Sequence, residues 1–174
     1  MRKVVYGGAC SLDGFMAGPN GELDWLVFSK DVQKEMARTW ASSDTLLFGR
    51  RTWEGAVAQG GGSTTPGVKG YVFSRTLTSI AEPGVELIRD DAGTFVHALK
   101  LQPGKDMVVM SGGNLARSLF DAGVIDEIGL NVHPVLLGSG VPAFVSGASR
   151  TQLELTECRK LDGGCVLLIY KVKH

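Results

Sequence analysis

Short apolar runs alternate with segments of helical spacing over most of the chain. The runs are rich in β-branched or aromatic residues, which predicts buried strands. They are Lys3–Cys10, Thr45–Phe48, Tyr71–Phe73, Val85–Ile88 and Met107–Met110. One of the intervening helices is predicted over Asp31–Ala41 with Ser29 as its N-cap. Val32, Met36 and Trp40 share one face of it. This order of elements indicates a parallel sheet covered by helices.

The pattern changes after residue 125, where strand-like segments follow one another without helices between them. Ile125–Val132 alternates polar and apolar positions. Leu153–Lys160 and Val166–Val172 flank the turn Asp162-Gly163-Gly164, and such a pair of strands around a glycine turn predicts a hairpin. We therefore predict one α/β domain over residues 1–174, with a mostly parallel central sheet and an antiparallel C-terminal hairpin.

Composition and charge argue against several classes of protein. The 174 residues are 44% hydrophobic and 21% charged, as in ordinary globular domains. The 18 basic and 18 acidic side chains balance, which argues against a nucleic-acid partner. No apolar run approaches the roughly 20 residues that span a bilayer, and the chain starts without a signal-peptide pattern. Its three cysteines lack metal-ligand spacing, so we expect a reduced, cytoplasmic protein without a metal site or a membrane partner.

Three of the predicted strands end in residues suited to binding phosphate. Gly49-Arg50-Arg51-Thr52 and Ser111-Gly112-Gly113-Asn114 each follow a strand and open a helix, whereas Ser74-Arg75-Thr76 only follows a strand. In open α/β sheets ligands bind at the carboxyl ends of the strands, and helix N-termini there attract anions. The arginine fork suits a terminal phosphate monoester, which favours NADPH over NADH. The alternative is that these are ordinary tight turns and solvated surface arginines.

The standard glycine-rich dinucleotide-binding turn, G-x-G-x-x-A, has one good match, Gly138–Ala143. Pro142 leaves no room for the long helix that this motif needs, and no βαβ unit follows it. We therefore reject a Rossmann domain. The glycines of this segment remain suited to a close approach to a ligand.

Several motifs resemble those of a known family. The turn Gly49–Glu54 after the strand Leu46–Phe48 resembles the signature turn of dihydrofolate reductase. Four other segments resemble the reductase domain of the bifunctional riboflavin-biosynthesis deaminase/reductase: Ser11-Leu12-Asp13-Gly14, Gly112-Gly113-Asn114-Leu115-Ala116, Val124-Ile125-Asp126-Glu127 and His133-Pro134-Val135-Leu136-Leu137-Gly138-Ser139-Gly140. The likeness covers nearly the whole chain. It implies the three-layer α/β fold of the dihydrofolate-reductase-like proteins.

The resemblance also implies an NADPH site. The turns Gly49–Thr52 and Ser111–Leu115 would bind the pyrophosphate, and Ser74 and Arg75 the adenosine 2′-phosphate. Residues of the first strand and loop would face the nicotinamide amide, and two later glycines would close over the cofactor. The full set is Ala9, Met16, Ala17, Gly49, Arg50, Arg51, Thr52, Ser74, Arg75, Ser111, Gly112, Gly113, Asn114, Leu115, Gly138 and Gly140.

The motifs define the substrate side of the site less well. Dihydrofolate reductase holds its substrate ring with a carboxylate on the helix that follows a tryptophan; Trp25 is present here, and Asp31 is the best positional match. Glu35, one turn later, and Asp13, on the loop that would cover the ring, are the other candidates. Asp31 also fits a favourable charge at a helix start, and Asp13 an Asp-Gly turn. None of the three histidines has a nucleophile partner in a recognised arrangement.

These features together predict an NADPH-dependent reductase that transfers hydride to a small pteridine- or pyrimidine-like substrate, or to another carbonyl or imine compound. One alternative is 5-amino-6-(5-phosphoribosylamino)uracil reductase of riboflavin biosynthesis, which would need a cationic site for the ribose phosphate. Another is a nucleotide-binding protein without catalytic activity, because the motifs do not fix the catalytic acid. The relatives also imply a homodimer, with Asp126–Val132 or the C-terminal hairpin at the interface.

Overall fold

The computed structural model describes residues 1–61, 66–146 and 150–174. Within these ranges the strands are β1 (Val4–Ser11), β2 (Phe15–Ala17), β3 (Ser43–Gly49), β4 (Lys69–Phe73), β5 (Val85–Ile88), β6 (Asp106–Met110), β7 (Glu127–His133), β8 (Val141–Pro142), β9 (Gln152–Lys160) and β10 (Val166–Lys173). The α-helices are α1 (Lys30–Ser42), α2 (Arg50–Ala58), α3 (Ala92–Lys100) and α4 (Gly113–Asp121). A short 3-10 turn, Asp162–Gly164, joins the last two strands.

Eight strands form one sheet in the order β5-β4-β3-β6-β1-β7-β10-β9. All neighbours from β5 to β7 are parallel, whereas β10 runs antiparallel to both β7 and β9. The mostly parallel sheet with an antiparallel C-terminal hairpin, predicted from the sequence, is therefore confirmed. The short strands β2 and β8 pair in a second sheet that the sequence pattern did not predict, since segments this short show no periodicity.

Helices cover both faces of the sheet, which gives three layers. α3 and α4 lie over the larger core, where Tyr6 and Leu119 are fully buried. On the opposite face, Val32 of α1 packs near β10, and Trp53 of α2 packs over β3 and β4. These two smaller clusters lie on either side of β6 and β1. Because side chains alternate in direction along a strand, Ala9 of β1 points away from the Tyr6 side, to the face of the sheet that carries α1 and α2.

Helix α1 forms where the sequence predicts it and packs through only part of its apolar face. Its N-cap is Ser29, as predicted, whose Oγ accepts a hydrogen bond from Val32 N–H at 3.3 Å. Of the three residues predicted to share one face, Val32 is buried, but Met36 and Trp40 are 42% and 41% exposed. The helix therefore packs through its first turn and leaves its second half open to solvent.

Buried ion pairs close the amino ends of the parallel strands. Lys100 is 8% exposed, and its Nζ lies 2.7 Å from both carboxylate oxygens of Asp126. Asp126 also accepts a hydrogen bond from Val4 N–H at 2.8 Å. Arg2, which is 9% exposed, forms an ion pair with Asp44 at the start of β3. These contacts hold together segments that are far apart in sequence.

Membrane spans, metal-ligand groups and cysteines are the remaining features with a bearing on function. Among the helices of the described residues, none is long and apolar enough to cross a membrane. The described residues also contain no group of three or more His, Cys, Asp or Glu side chains that could hold a metal ion. Cys10, Cys158 and Cys165 are free thiols, and the first and last of these are buried.

Candidate cofactor and substrate site

Helices α2 and α4 begin side by side at the carboxyl edge of the sheet. Their N-caps are Gly49 and Gly112, and no side chain in the described part of the chain caps either end. By contrast, side-chain oxygens of Ser29 and Asp91 cap α1 and α3. A helix N-terminus leaves its first N–H groups without intrahelical partners, and anions bind there. The two glycine-capped ends are therefore suited to phosphate groups.

The turns that lead into these helices touch each other. A Cβ atom added to Gly49 would lie 2.4 Å from Ser111 Oγ, which is closer than real side chains approach. Gly113, the first residue of α4, has a φ of +63°, a left-handed conformation that residues with a Cβ disfavour. The two predicted pyrophosphate turns therefore meet at one point of the sheet edge. Three further predicted residues belong to the same turns: Thr52, Asn114 and Leu115.

Two arginines lie at the start of α2. Arg50 Nη1 bonds Glu54 at 3.1 Å, and these side chains are 40% and 44% exposed. Arg51 is exposed on the neighbouring position. An exposed ion pair one helical turn apart contributes only about 0.3–0.5 kcal/mol, so Arg50 can exchange Glu54 for a ligand phosphate at little cost.

Ser74 and Arg75 follow β4, and the structure gives them different surroundings. Ser74 is buried, and its Oγ accepts hydrogen bonds from two backbone N–H groups of its own turn, at 3.0 and 3.2 Å. Arg75 is exposed. The pKa of Asp91 is lowered chiefly by the hydrogen bond from Thr94 N–H and also by the nearby charge of Arg75. Arg75 therefore lies between the ends of β4 and β5, while the Ser74 hydroxyl shapes the turn beside it.

The first loop and the segment around β8 pack against the start of α4. Gly140 has a φ of +154°, and a Cβ on it would lie 2.1 Å from the carbonyl oxygen of Ala17. A Cβ on Gly112 would lie 3.2 Å from the Pro142 carbonyl oxygen and 3.8 Å from Met16 Sδ. The structure thus brings together Met16, Ala17, Gly112 and Gly140, four of the predicted cofactor residues. Their role in binding stays a prediction.

Asp13 connects the first loop, which follows Ser11, to the loop that contains Leu137 and Gly138. Its Oδ1 accepts hydrogen bonds from Ser11 Oγ at 2.6 Å and Leu137 N–H at 3.1 Å, and its Oδ2 accepts one from Gly138 N–H at 2.7 Å. These bonds, chiefly that of the Ser11 hydroxyl, lower the pKa of Asp13. An ionised carboxylate bonded to its own chain is suited to holding loops in place. The catalytic role predicted for Asp13 stays a prediction that this geometry does not favour.

The carboxylates of α1 face the C-terminal hairpin. Asp31 Oδ2 accepts a hydrogen bond from Asp162 N–H at 3.3 Å. The side chain of Glu35 is only 16% exposed, and its Oε1 lies 2.7 Å from Arg159 Nη2 on β9. The structure therefore places both candidate acids at the hairpin and not beside the cofactor turns. The catalytic role of Asp31 likewise stays a prediction.

Comparison with known proteins identifies the family. The model of the RibD C-terminal domain matches residues 2–167. The Bacillus subtilis protein YyaP is 32% identical over 180 residues, which cover 97% of this chain and 94% of YyaP. The chain belongs to the RibD C-terminal domain family.

Solved structures share the fold of this RibD C-terminal domain. A protein from Shewanella sp. PV-4 with a provisional riboflavin-biosynthesis name has a TM-score of 0.86 and 22% identity, over 99% of both chains. Dihydrofolate reductase from Enterococcus faecalis, complexed with NADP(H), has a TM-score of 0.72 and 15% identity, over 99% of this chain and 97% of that enzyme. The predicted dihydrofolate-reductase-like fold is therefore confirmed. The family is that of the RibD C-terminal domain, and the fold is shared with dihydrofolate reductase and with the Shewanella protein.

The RibD-type fold also contains a polar cluster that sequence reasoning missed. His133 is 1% exposed, and its Nδ1 accepts a hydrogen bond from Val27 N–H at 3.1 Å. The Trp25 ring meets the imidazole edge to face, with centroids 5.3 Å apart. Asn131, two residues earlier on β7, approaches His133 and lies opposite Ala9 of β1. The available signal was the alternation of β7, which puts Asn131 and His133 on one face of the strand.

Proposed function

We propose that this member of the RibD C-terminal domain family is an NADPH-dependent reductase. The observation that carries the proposal is the meeting of two glycine-capped helix N-termini, at Gly49 and Gly112, on the carboxyl edge of the sheet. Because no described side chain caps these ends, their N–H groups can donate to a diphosphate. A diphosphate at this point suits a dinucleotide whose two halves extend along the sheet edge in opposite directions.

The strand order supplies chemistry suited to each half of NADPH. Toward β4 and β5 lies Arg75, whose exposed guanidinium can form two parallel hydrogen bonds with a 2′-phosphate. In the other direction, β6 is followed by β1, which carries the small residue Ala9 on the face that carries α1 and α2. Met16 lies beside the same strand on its Tyr6 face, since a Cβ on Gly8 would be 3.4 Å from Met16 Cε and the Tyr6 hydroxyl is 3.6 Å from Met16 Sδ. This end of the site suits the flat nicotinamide ring.

The face of the sheet that carries α1 and α2 has small residues suited to a flat substrate. Gly7 of β1 lies opposite Gly129 of β7, and Ala9 is the next residue of β1 on the same face. Gly7 has no side chain and Ala9 has only a methyl group, so this part of β1 suits an aromatic heterocycle that lies beside Ile169, whose Cδ1 is 3.3 Å from where a Cβ on Gly129 would be. A small pteridine- or pyrimidine-like compound, or another carbonyl or imine compound, is therefore the proposed substrate. NADPH would supply the hydride, and the protein supplies position and electrostatics.

Thermal unfolding with NADPH and with NADH tests the cofactor. A saturating ligand at about 100 times its Kd stabilises a protein by about 2.7 kcal/mol, so NADPH should raise Tm clearly and NADH less. Arg75→Ala should weaken NADPH binding about tenfold or more and leave NADH binding nearly unchanged, because a charge-assisted hydrogen bond contributes about 1.5–3 kcal/mol. Arg38→Ala, at a 70% exposed position on α1, is the matched control. Unchanged Tm with NADPH, or equal losses for the two nucleotides, would contradict the proposal.

Turnover then distinguishes a reductase from a protein that only binds the nucleotide. NADPH oxidation would be followed with dihydrofolate, with the phosphoribosylaminopyrimidine intermediate of riboflavin biosynthesis, and with simple pteridines, carbonyl compounds and imines. Oxidation with one of these classes identifies the substrate type. Saturable NADPH binding without oxidation across the whole panel would contradict the reductase assignment.

We also infer a homodimer joined through the C-terminal hairpin. Of the two interfaces predicted from the sequence, β7 lies inside the sheet with β1 and β10 on either side, so its backbone is paired. β9 is an edge strand, and its Leu153 and Leu155 are 40% and 52% exposed. An edge strand with exposed apolar residues is stabilised when a second chain covers it. Sedimentation equilibrium measures the assembly state, and a monomer at micromolar concentration would contradict the dimer.

A further inference from the structure

The hydrogen bonds of His133 determine which of its ring nitrogens carries the proton. Val27 N–H donates to Nδ1 at 3.1 Å, and Cys165 Sγ lies 3.5 Å from the same nitrogen. Nδ1 is therefore an acceptor and carries no proton. Burial of the ring lowers the pKa of His133, which favours the neutral form at pH 7. In a neutral imidazole with an unprotonated Nδ1, the proton is on Nε2, and Nε2 is a donor.

This proton determines the orientation of the Asn131 amide. Asn131 Nδ2 lies 3.2 Å from His133 Nε2, so two donors would face each other. The oxygen and nitrogen of an amide are assigned from the hydrogen-bond network, and here the network requires the opposite assignment. After the amide is turned by 180°, Oδ1 accepts from Nε2–H. The amino group then occupies the other amide position, which is buried and has no hydrogen-bond partner among the described residues.

The position of Asn131 in the sheet indicates which bound molecule its amino group can contact. The phosphate-binding turns follow β3 and β6, and the next two strands are β1 and β7. A dinucleotide that starts at these turns and reaches Ala9 on β1 ends one strand short of Asn131, which pairs with Ala9 from β7. The group beyond the nicotinamide is the substrate. A buried amino group without a partner costs about 1–3 kcal/mol, so a substrate atom that accepts its hydrogen bond is favoured.

We propose that Asn131 is a substrate-binding residue and that His133 is the residue that positions it. The Asn131 amino group donates a hydrogen bond to a ring carbonyl of a heteroaromatic substrate. Nε2–H of His133 holds the amide in this orientation, and Val27 N–H holds His133 in turn. The inference rests on the proposed reductase function, since it places the substrate relative to the cofactor. It adds that the substrate presents an acceptor, and not a donor, toward β7.

Two probes that differ at C4, and in the N3 proton that goes with the C4 carbonyl, test this assignment. Pterin carries a carbonyl at C4, which accepts a hydrogen bond, and 2,4-diaminopteridine carries an amino group there, which donates one. Binding to the NADPH-saturated protein would be measured by calorimetry. We expect the wild-type protein to prefer pterin by about tenfold or more, because a mismatched pair leaves buried polar groups unpaired. Asn131→Asp replaces the donor with an acceptor and should reverse the preference.

Two further variants test the positioning role and the specificity of the effect. His133→Phe removes Nε2–H, so the amide can turn either way, and both probes should bind with similar affinity. Gln102→Glu makes the same change of amide to carboxylate at an exposed position in the turn after α3 and should keep the preference for pterin. All variants should keep the NADPH-induced rise in Tm, which separates this proposal from the cofactor assignment.

Three results would overturn the proposal. The first is a wild-type protein that binds neither probe, or binds 2,4-diaminopteridine more tightly. The second is an Asn131→Asp variant whose preference is unchanged. The third is an Asn131→Asp variant that loses NADPH affinity together with probe affinity, since Asn131 would then contact the cofactor. Full discrimination in His133→Phe would overturn the positioning role alone.

Discussion

Polar groups have partners inside the protein at the amino edge of the parallel sheet, whereas several polar groups at its carboxyl edge have none in the part of the chain that the structure describes. At the amino edge, Lys100 bonds Asp126, and Arg2 bonds Asp44, so charged groups have partners inside the protein. At the carboxyl edge, α2 and α4 start without a capping side chain from the described residues, and Asn131 has a buried amide atom without a partner there. Groups that bond internally stabilise the fold, whereas groups left without partners can bind a ligand.

Internal pairing at the amino edge and open polar groups at the carboxyl edge have different consequences for stability. Burial of Asp44 opposes its ionisation, but hydrogen bonds from Lys105 N–H and Thr45 and the charge of Arg2 outweigh burial and lower its pKa. A buried carboxylate without such partners would cost several kcal/mol. A glycine-capped helix end at the surface bonds to water instead, so leaving it open costs little. Changes at the amino edge should therefore alter stability, and changes at the carboxyl edge should alter ligand binding.

The largest expected effect is that of Lys100→Met, at the amino edge. Methionine keeps most of the apolar stem but leaves Asp126 without its cationic partner. Removing one member of a buried ion pair typically costs about 3–5 kcal/mol. The Asp126 side chain is 28% exposed and still accepts from Val4 N–H, so we expect about 3 kcal/mol, at the lower end of that range. Urea unfolding measures the loss.

The double variant Lys100→Met/Asp126→Asn is the control for the Lys100→Met experiment. It removes both charges, and asparagine can still accept from Val4 N–H, so more than half of the lost stability should return. NADPH binding to the folded single variant should equal that of the wild type. A stability loss below about 1 kcal/mol, or weaker NADPH binding with normal stability, would contradict the division between the two edges.

The carboxyl edge could be predicted from the sequence because its signals are local. Thr45–Phe48 and Met107–Met110 are apolar runs, and a glycine or serine turn follows each within one or two residues. Parallel strands bring their carboxyl ends to one edge, so the meeting of Gly49 with Ser111 follows from the fold class. The C-terminal hairpin could be predicted for the same reason, since a glycine turn between two strand patterns is also a local signal.

The remaining contacts depend on residues that are distant in sequence. Asp126 bonds Val4 across 122 positions of the sequence, and His133 bonds Val27 across 106. The local sequence around Asp126 or His133 therefore does not reveal its hydrogen-bond partner. For a different reason, the packing of α1 is not shown by the sequence pattern. Helical spacing shows which residues share a face, but a face that borders a cleft has the same spacing as one that is buried. Met36 and Trp40 are therefore exposed although they align with Val32.

Two glycines, one at each end of α4, allow the effect of backbone strain on stability to be distinguished from an effect on NADPH binding. Gly113 and Gly123 have φ values of +63° and +64°, and alanine in this conformation costs about 1–2 kcal/mol. Gly113→Ala and Gly123→Ala should therefore lose similar stability. Only Gly113→Ala should also weaken NADPH binding, about tenfold (roughly 1.4 kcal/mol), because relief of the strain moves the N–H groups of the turn.

The geometry supports Gly123 as the control for this pair. A Cβ on Gly123 meets no described atom within 4 Å, and a Cβ on Gly113 lies at an ordinary 3.7 Å from Val145 Cγ1, so neither variant adds a clash. Tm and NADPH affinity would be measured for both proteins. Equal loss of NADPH affinity in the two variants would mean that the start of α4 does not hold the diphosphate.

The smallest effect on stability is expected for Asp13, a carboxyl-edge group that bonds internally as the amino-edge groups do. Its folded-state pKa is lower than the ordinary 3.8, chiefly because of the Ser11 hydroxyl. Its contribution to stability is therefore present above that ordinary value and is lost as the pH falls through the folded-state pKa. Asp13→Asn should have a slightly lower Tm than the wild type at pH 7. This difference should be constant down to about pH 5 and shrink below about pH 4.

Kinetics of the same variant decide whether Asp13 holds the loops or donates a proton. Asparagine cannot accept all three hydrogen bonds from Ser11, Leu137 and Gly138 without turning an amino group toward one donor. If Asp13 holds the covering loops, Asp13→Asn should raise KM for NADPH several-fold and keep kcat within about a factor of three, since no proton donor is lost. If Asp13 is the catalytic acid, kcat should fall about 100-fold or more with KM nearly unchanged. The second outcome would place an acid at the carboxyl edge and show that internal bonding there does not exclude catalysis.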